Sequence, residues 1–323
     1  MRYVILGAGA MGGSIGGRLF ESGHDVVLLA RGAHQSVIAS RGLELRDPDR
    51  SVTLRIPSVS SLADVGFKEG DVAFLATKTQ QSESLLSQLA VHAPPATPVV
   101  CAQNGVENER LALRRFSNVQ AMRVFHSASH LEPGLIEIPL APLSGLLDLG
   151  RYPSGADEVS ERIAADLNES TFDSLVDPNV MARKYRKLLS NLGNAIDAAC
   201  GSRSDGPAAV QLWQLAQDEA LVCFEAAKIE VAPADLDAGR KAAMGPFRLV
   251  AGHDLSGGSS WQSLARKTGN IEADWLNGEI VLLGRLNGIP TPVNELLRAT
   301  ANRMAAEGIE PGTIPAADLL AQL

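Results

Sequence analysis

RYVILGAGAMGG at residues 2–13, followed by DVVLLAR at residues 25–31, is the stretch that decides the fold. Arg2 to Leu6 reads as a buried strand, Met11 to Ser22 as a helix, and Asp25 to Ala30 as a second strand. Between the first strand and the helix stand Gly7-Ala8-Gly9-Ala10-Met11-Gly12, which fit G-x-G-x-x-G. In a chain with 30 glycines such a triplet arises by chance, so its meaning comes from context. Strand, glycine turn, helix and second strand follow within about 30 residues, the unit that holds a dinucleotide. Gly7 permits the tight turn, Gly9 lets backbone approach a pyrophosphate, and Gly12 lets helix pack closely on strand. The helix start adds unsatisfied N–H groups and a partial positive charge.

The end of the second strand selects the nucleotide. A carboxylate there accepts hydrogen bonds from a ribose 2′-hydroxyl, but this chain has Arg31. A guanidinium suits a 2′-phosphate, so NADP(H) is expected; the competing reading is a surface arginine in a loop. Lys78 follows the apolar strand Val72 to Ala76 and offers a second cation at the carboxyl end of the sheet. Gln103-Asn104-Gly105 occupies the matching place after the strand Val99 to Ala102. Asn104 either orients the nicotinamide amide or reacting carbonyl, or belongs to a plain turn.

Outward from this unit, Val119 to Phe125 and Gly134 to Ile138 read as later strands, and Leu146 to Leu149 as an edge strand. Continuous apolar strands separated by helices imply a parallel sheet covered on both faces. Beyond Asp177-Pro178 the pattern turns helical: Val180 to Cys200, Ala208 to Lys228, Asp274 to Asn287 and Val293 to Glu307. The expected organisation is therefore α/β, with a Rossmann domain over 1–177 and an all-helical domain over 178–323. A length of 323 residues suits two cores, and a hydrophobic fraction of 45% suits packed ones.

A formal net charge of −8 opposes nonspecific nucleic-acid binding. No secretory signal or run of about 18 apolar residues is present, so a cytoplasmic protein without a membrane span is expected. Cys101, Cys200 and Cys223 show neither CxxC nor Cys/His spacing, which argues against a zinc site or disulfide framework. They read as small buried apolar side chains.

Hydride transfer to a carbonyl leaves charge on oxygen, so a proton donor is needed. Tyr185 does not stand in the Tyr-x-x-x-Lys context of short-chain reductases. In Lys187-Leu188-Leu189-Ser190-Asn191-Leu192-Gly193-Asn194, the residues Lys187, Asn191 and Asn194 fall at i, i+4 and i+7 on one helical face. That face is either a proton donor between two carboxamides or a solvated polar stripe. Ser259-Ser260 either caps a helix or supplies hydroxyls to a carboxylate. Glu272 either pairs with Lys187 or a substrate hydroxyl, or is a solvated helix charge. His126 and His130 are alternative acids, but they read as structural because Lys187 fills that role.

GAGAMG at 7–12, Lys78, QNG at 103–105, KLLSN at 187–191 and SS…E-x-D-x-x-NG at 259–278 together resemble the ketopantoate reductase (2-dehydropantoate 2-reductase) family over nearly the whole chain. The resemblance implies a Rossmann domain followed by a helical domain like that of 6-phosphogluconate dehydrogenase. It implies NADPH-dependent reduction of 2-dehydropantoate to (R)-pantoate, toward pantothenate and coenzyme A. Carried over, Lys187 is the general acid, and Glu272 binds substrate and positions that lysine. Asn104 and Asn191 hold substrate and nicotinamide, and Ser260 takes the carboxylate.

The family's second asparagine stands eight residues after the lysine. Here that position is Ala195, with Asn194 one residue earlier. Leu264 replaces an acidic residue often found four after the second serine, and FHSASHLEPGLIEI at 125–138 replaces a glycine-rich version. These departures leave the hydride chemistry in place and open the substrate to other small 2-keto acids. A nucleotide-binding sensor without turnover is the reading from a different class, and the long apolar helices suit a homodimer.

Overall fold

Strand β1 (Arg2–Leu6) lies between β2 (Asp25–Leu29) and β6 (Asp71–Leu75), parallel to both. Val4, Ile5 and Leu6 are wholly buried, because both faces of this strand are covered. The computed structural model describes residues 1–202, 206–252, 258–267 and 269–323. These residues divide into two compact units. The first comprises Met1–Gln103, Glu107–Met181 and Ala234–Leu255, and the second Asn104–Val106, Ala182–Pro233 and Ser256–Leu323.

Within the first unit the helices α1 (Ala10–Glu21) and α2 (Gly32–Arg41) flank β2, and the short strands β3 (Leu43–Arg46), β4 (Ser51–Leu54) and β5 (Ser58–Val59) follow before β6. Next come α3 (Thr79–His92), β7 (Val99–Cys101), α4 (Asn108–Leu113), β8 (Val119–His126), β9 (Leu135–Glu137), β10 (Gly145–Arg151), α5 (Glu158–Asn168) and β11 (Phe172–Asp173). The described residues form an eight-stranded sheet in the order β11-β10-β8-β7-β6-β1-β2-β5. It is parallel except for the antiparallel β8–β10 pair. From β1 the chain builds outward through β2 on one side and through β6 on the other, which makes the β1/β6 border the switch point of the sheet. Leu6 is in register with Leu29 and Leu75, and Leu75 with Cys101. The glycine turn, Arg31, Lys78 and Gln103 therefore leave the sheet at the same edge.

Three expectations change here. Leu146 to Leu149 lies inside β10, between β8 and β11, and so is not an edge strand. The stretch at Gly134 to Ile138 forms β9 outside the main sheet, in a separate three-stranded sheet ordered β4-β3-β9. Its Ile136 packs beneath α1, where a Cβ on Gly13 would come within 2.9 Å of Ile136 Cγ1. Cys101 and Cys223 are buried as expected, whereas Cys200 is half-buried.

The second unit is built from α6 (Val180–Asn191), α7 (Asn194–Cys200) and α8 (Pro207–Ala226), and then the chain leaves it. Helix α9 (Ala238–Ala243) belongs to the first unit. Arg240 bonds Asp148 Oδ1 at 2.8 Å and Asp173 Oδ1 at 2.6 Å, and Arg123 bonds both Asp148 and Asp237, the latter at 2.7 Å. Burying Arg123 and Asp148 is tolerable only because each charge meets an opposite one with hydrogen bonds. The second unit resumes with α10 (Ser259–Ala265), a 3-10 turn at Glu272–Trp275, α11 (Asn277–Asn287), α12 (Pro292–Glu307) and α13 (Ala316–Leu320). Val180 to Cys200 is two helices, broken at Leu192-Gly193, and Asp274 to Asn287 is a 3-10 turn followed by a helix. Among the described residues no helix is long and apolar enough to cross a membrane.

Candidate functional site

In the first unit the glycine turn folds as its residues require. Gly7 has φ +104°, and a Cβ there would lie 2.6 Å from Thr77 Cγ2. A Cβ on Gly12 would come within 2.1 Å of the Gly7 carbonyl. At Gly9 a Cβ would meet nothing within 4 Å, so the turn faces open space at the one glycine expected to approach a ligand. Gly9 is also the N-cap of α1, and no side chain caps this end. The first N–H groups of the helix are thus left for another acceptor. These features fit a bound dinucleotide, with its pyrophosphate at Gly7, Ala8, Gly9, Ala10, Met11 and Gly12.

Arg31 caps α2 with its backbone, is exposed, and pairs with no carboxylate among the described residues. Lys78 is the half-buried N-cap residue of α3. The turn that carries Lys78 is braced by Gln103, whose amide donates to Thr77 O at 3.0 Å and Ser82 Oγ at 2.9 Å. Asn108 extends the brace, accepting from Ser82 Oγ at 2.7 Å and donating to Thr79 Oγ1 at 3.0 Å. Sequence reading singled out Asn104 of the Gln-Asn-Gly stretch, and the supporting part played by Gln103 emerges only here.

The two histidines weighed as acids are tied into structure. His126 Nδ1 lies 2.7 Å from Ser144 O, which only an N–H can satisfy, so Nε2 accepts from Ser14 Oγ at 2.7 Å. Burial pushes its pKa down from 6.5 to about 4, since an imidazolium would forfeit hydration, and the positive charge of Arg18 adds to the shift. His130 packs its ring on that of His34, with centroids 4.1 Å apart. Because the folded pKa of His126 is depressed, its contribution is present above the unfolded value of 6.5 and is lost as pH falls toward about 4. The expected slope in that window is up to about 1.4 kcal/mol per pH unit. Urea unfolding of the parent and of His126→Gln between pH 7 and pH 4 checks this. Parallel pH profiles for the two proteins would refute the assignment.

In the second unit, Lys187 and Asn191 share α6, one turn apart, with Lys187 half-buried and Asn191 5% exposed. Asn194 does not continue that helix. It opens α7 beyond the Leu192-Gly193 break, so the i+7 relation read from sequence does not hold. Asn194 is nevertheless buried, as are Ser260 and Glu272. Asn191 Oδ1 is buried with no hydrogen-bond partner among the described residues. An orphaned amide oxygen at 5% exposure marks a place where a ligand donor would be welcome.

Packing within this unit draws the motifs together. Asn277 donates to Leu192 O at 3.1 Å, so it pins the α6–α7 break, and to Asn294 Oδ1 at 3.0 Å. Asn294 in turn donates to Ala216 O and Glu219, and Glu219 accepts the backbone N–H of Val293 at 2.8 Å. Glu272 opens the short 3-10 helix just before Asn277 and is buried, so it is not a solvated helix charge. The Asn104–Val106 loop reaches the same turn, where a Cβ on Gly105 would be 3.1 Å from Trp275 O. Helix α10, with Ser260 in its first turn, packs against α7. Neither Ser259 nor Ser260 is the N-cap, which is Gly258, so the capping alternative is not realised.

Comparison with known proteins agrees with this arrangement. The model described as ketopantoate reductase PanE/ApbA matches residues 3–152, and that of the ketopantoate reductase PanE/ApbA C terminal matches residues 179–305. The 2-dehydropantoate 2-reductase of Pyrococcus horikoshii is 27% identical over 307 residues, covering 93% of this chain and 96% of the relative. That of Aquifex aeolicus is 24% identical and covers 92% of this chain and 94% of the relative. Among solved structures, a PanE/ApbA family ketopantoate reductase from Ralstonia eutropha JMP134 superposes with TM-score 0.79 at 24% identity, covering 95% of this chain and 99% of that one. A D-mandelate dehydrogenase with NADH and anilino(oxo)acetate superposes with TM-score 0.81 at 24% identity and the same coverages. At these identities the superpositions establish the shared fold. With family models matching both halves and a glycine turn and helical half built as described, the chain belongs to the ketopantoate reductase PanE/ApbA family.

Proposed function

We propose that this protein is an NADPH-dependent 2-dehydropantoate 2-reductase, an oxidoreductase that converts 2-dehydropantoate to (R)-pantoate in pantothenate and coenzyme A synthesis. The observation that carries the reading is similarity to a curated 2-dehydropantoate 2-reductase over 96% of that enzyme's length. The fit of the glycine turn to a dinucleotide supports it. In this reading residues 1–177 form the NADP-binding domain, to which the segment carrying α9 returns, and the rest of 178–323 forms the substrate domain. It also places the protein in the cytoplasm as a homodimer.

When bound, NADPH supplies the hydride. Gly7 to Gly12 would hold its pyrophosphate and Arg31 its 2′-phosphate, with Lys78 as a second cation, and the Asn104 amide would orient the nicotinamide. Lys187 holds the proton that the carbonyl oxygen receives as charge develops on it. Glu272 accepts from a substrate hydroxyl and positions the ammonium. Asn191 and Asn194 orient the substrate through their amides, and Ser260 donates to its carboxylate.

A second reading keeps the chemistry and changes the substrate to another small 2-keto acid. Buried apolar side chains favour it: Ala195 and Leu264 stand where the family pattern carries polar groups. Measuring kcat/KM with NADPH over a panel of 2-keto acids decides between them. The first reading expects 2-dehydropantoate to exceed the others by at least about 10-fold, the value of roughly one net hydrogen bond. A different acid leading the panel establishes the second reading. Tight NADPH binding with no acid consumed would mean a sensor.

A further inference from the structure

The imidazole of His34 stands behind the glycine turn. It lies in the first turn of α2, three residues after Arg31, and is 9% exposed. Gly134 N donates to Nδ1 at 2.8 Å, and a backbone N–H can only donate. Nδ1 is therefore an acceptor, and the ring proton sits on Nε2, which donates to Ala8 O at 2.7 Å. Gly134 is itself held, because its carbonyl accepts from Glu44 N at 2.8 Å. It has φ +82°, and a Cβ there would strike Val37 Cγ1 at 2.3 Å. Burial holds the His34 pKa below its ordinary value, which favours the neutral ring that this arrangement requires.

The carbonyl of Ala8 and the N–H of Gly9 belong to one peptide plane. In a trans peptide the two point in opposite directions, so fixing one fixes the other. With Ala8 O drawn toward His34, Gly9 N–H points away from that ring, and a Cβ on Gly9 would meet nothing within 4 Å. A hydrogen bond to the carbonyl also polarises the peptide and strengthens its N–H as a donor. We infer that His34 is a positioning residue for the dinucleotide, aiming the Gly9 N–H at the pyrophosphate through the Ala8 peptide. This inference rests on the reading of the glycine turn as an NADPH cradle.

His34→Leu removes the donor while keeping the bulk, and His34→Gln restores both an N–H and an acceptor oxygen. His34→Leu is expected to raise the NADPH Kd and KM roughly 10-fold, the value of one well-placed hydrogen bond, with the loss falling on KM rather than kcat. His34→Gln is expected to recover most of that affinity. Ring 15N signals of the parent protein, assigned by comparison with His34→Gln, supply a measurement that does not depend on the leucine variant folding. They should show His34 protonated at Nε2 alone and shifted on NADPH addition. A folded His34→Leu that binds NADPH like the parent, or a ring proton on Nδ1, would overturn the inference while the parent still binds. A parent that fails to bind NADPH would overturn both the inference and the reading beneath it.

Discussion

Lys187→Ala is expected to lower kcat by roughly 10²–10⁴-fold, the range that a positioned general acid contributes. The residue sits on α6 of the second unit, whereas the glycine turn belongs to the first. NADPH affinity should therefore stay within about twofold of the parent, well under the effect of one ordinary hydrogen bond. Lys187→Arg separates charge from proton transfer. A guanidinium keeps the positive charge but does not release its proton in a protein, so that variant should stay slow. Steady-state kinetics with fluorescence titration of NADPH read both quantities. A kcat within tenfold of the parent in Lys187→Ala would move the acid role to another group.

Arg31→Ala should erase most of the preference for NADPH over NADH. Charge-assisted hydrogen bonds to an ionised partner are worth about 1.5–3 kcal/mol each, or roughly 10- to 100-fold in Kd. Exposure of Arg31 places the effect toward the lower end and makes it salt-dependent, because the Debye length shrinks to about 8 Å at physiological ionic strength. NADH affinity should hardly move, since a 2′-hydroxyl offers no charge to the guanidinium. Titrating both nucleotides into parent and variant at low and high salt checks all three statements. Equal affinity of the parent for the two nucleotides would mean that the guanidinium simply faces solvent.

How much of this was legible depended on the range of the forces involved. Strands β1, β2, β6 and β7 announce themselves as short apolar runs because each is buried on both faces. Strands β3 and β4 are four residues each with alternating burial in polar surroundings, and they carry no such signature. The α6–α7 break escaped for a related reason. Leucine and alanine continue the apolar period through Leu192-Gly193, and the carbonyl at the break is satisfied by Asn277, 85 residues away. Helix α9 has no buried residue within its own span, so nothing in its pattern revealed that it docks on the first unit through Arg240.

By itself the sequence determined the βαβ glycine turn, the cation at the end of β2 and the residue types available for acid chemistry. Those depend on local spacing and on which side chains exist. Tertiary structure alone decided that His34 backs the turn, that Gln103 braces the Lys78 segment, and that Asn277, Asn294 and Glu219 fix the break beside Asn191. Each is a hydrogen bond between residues distant in sequence, formed because a buried polar group must find a partner wherever the packed chain brings one.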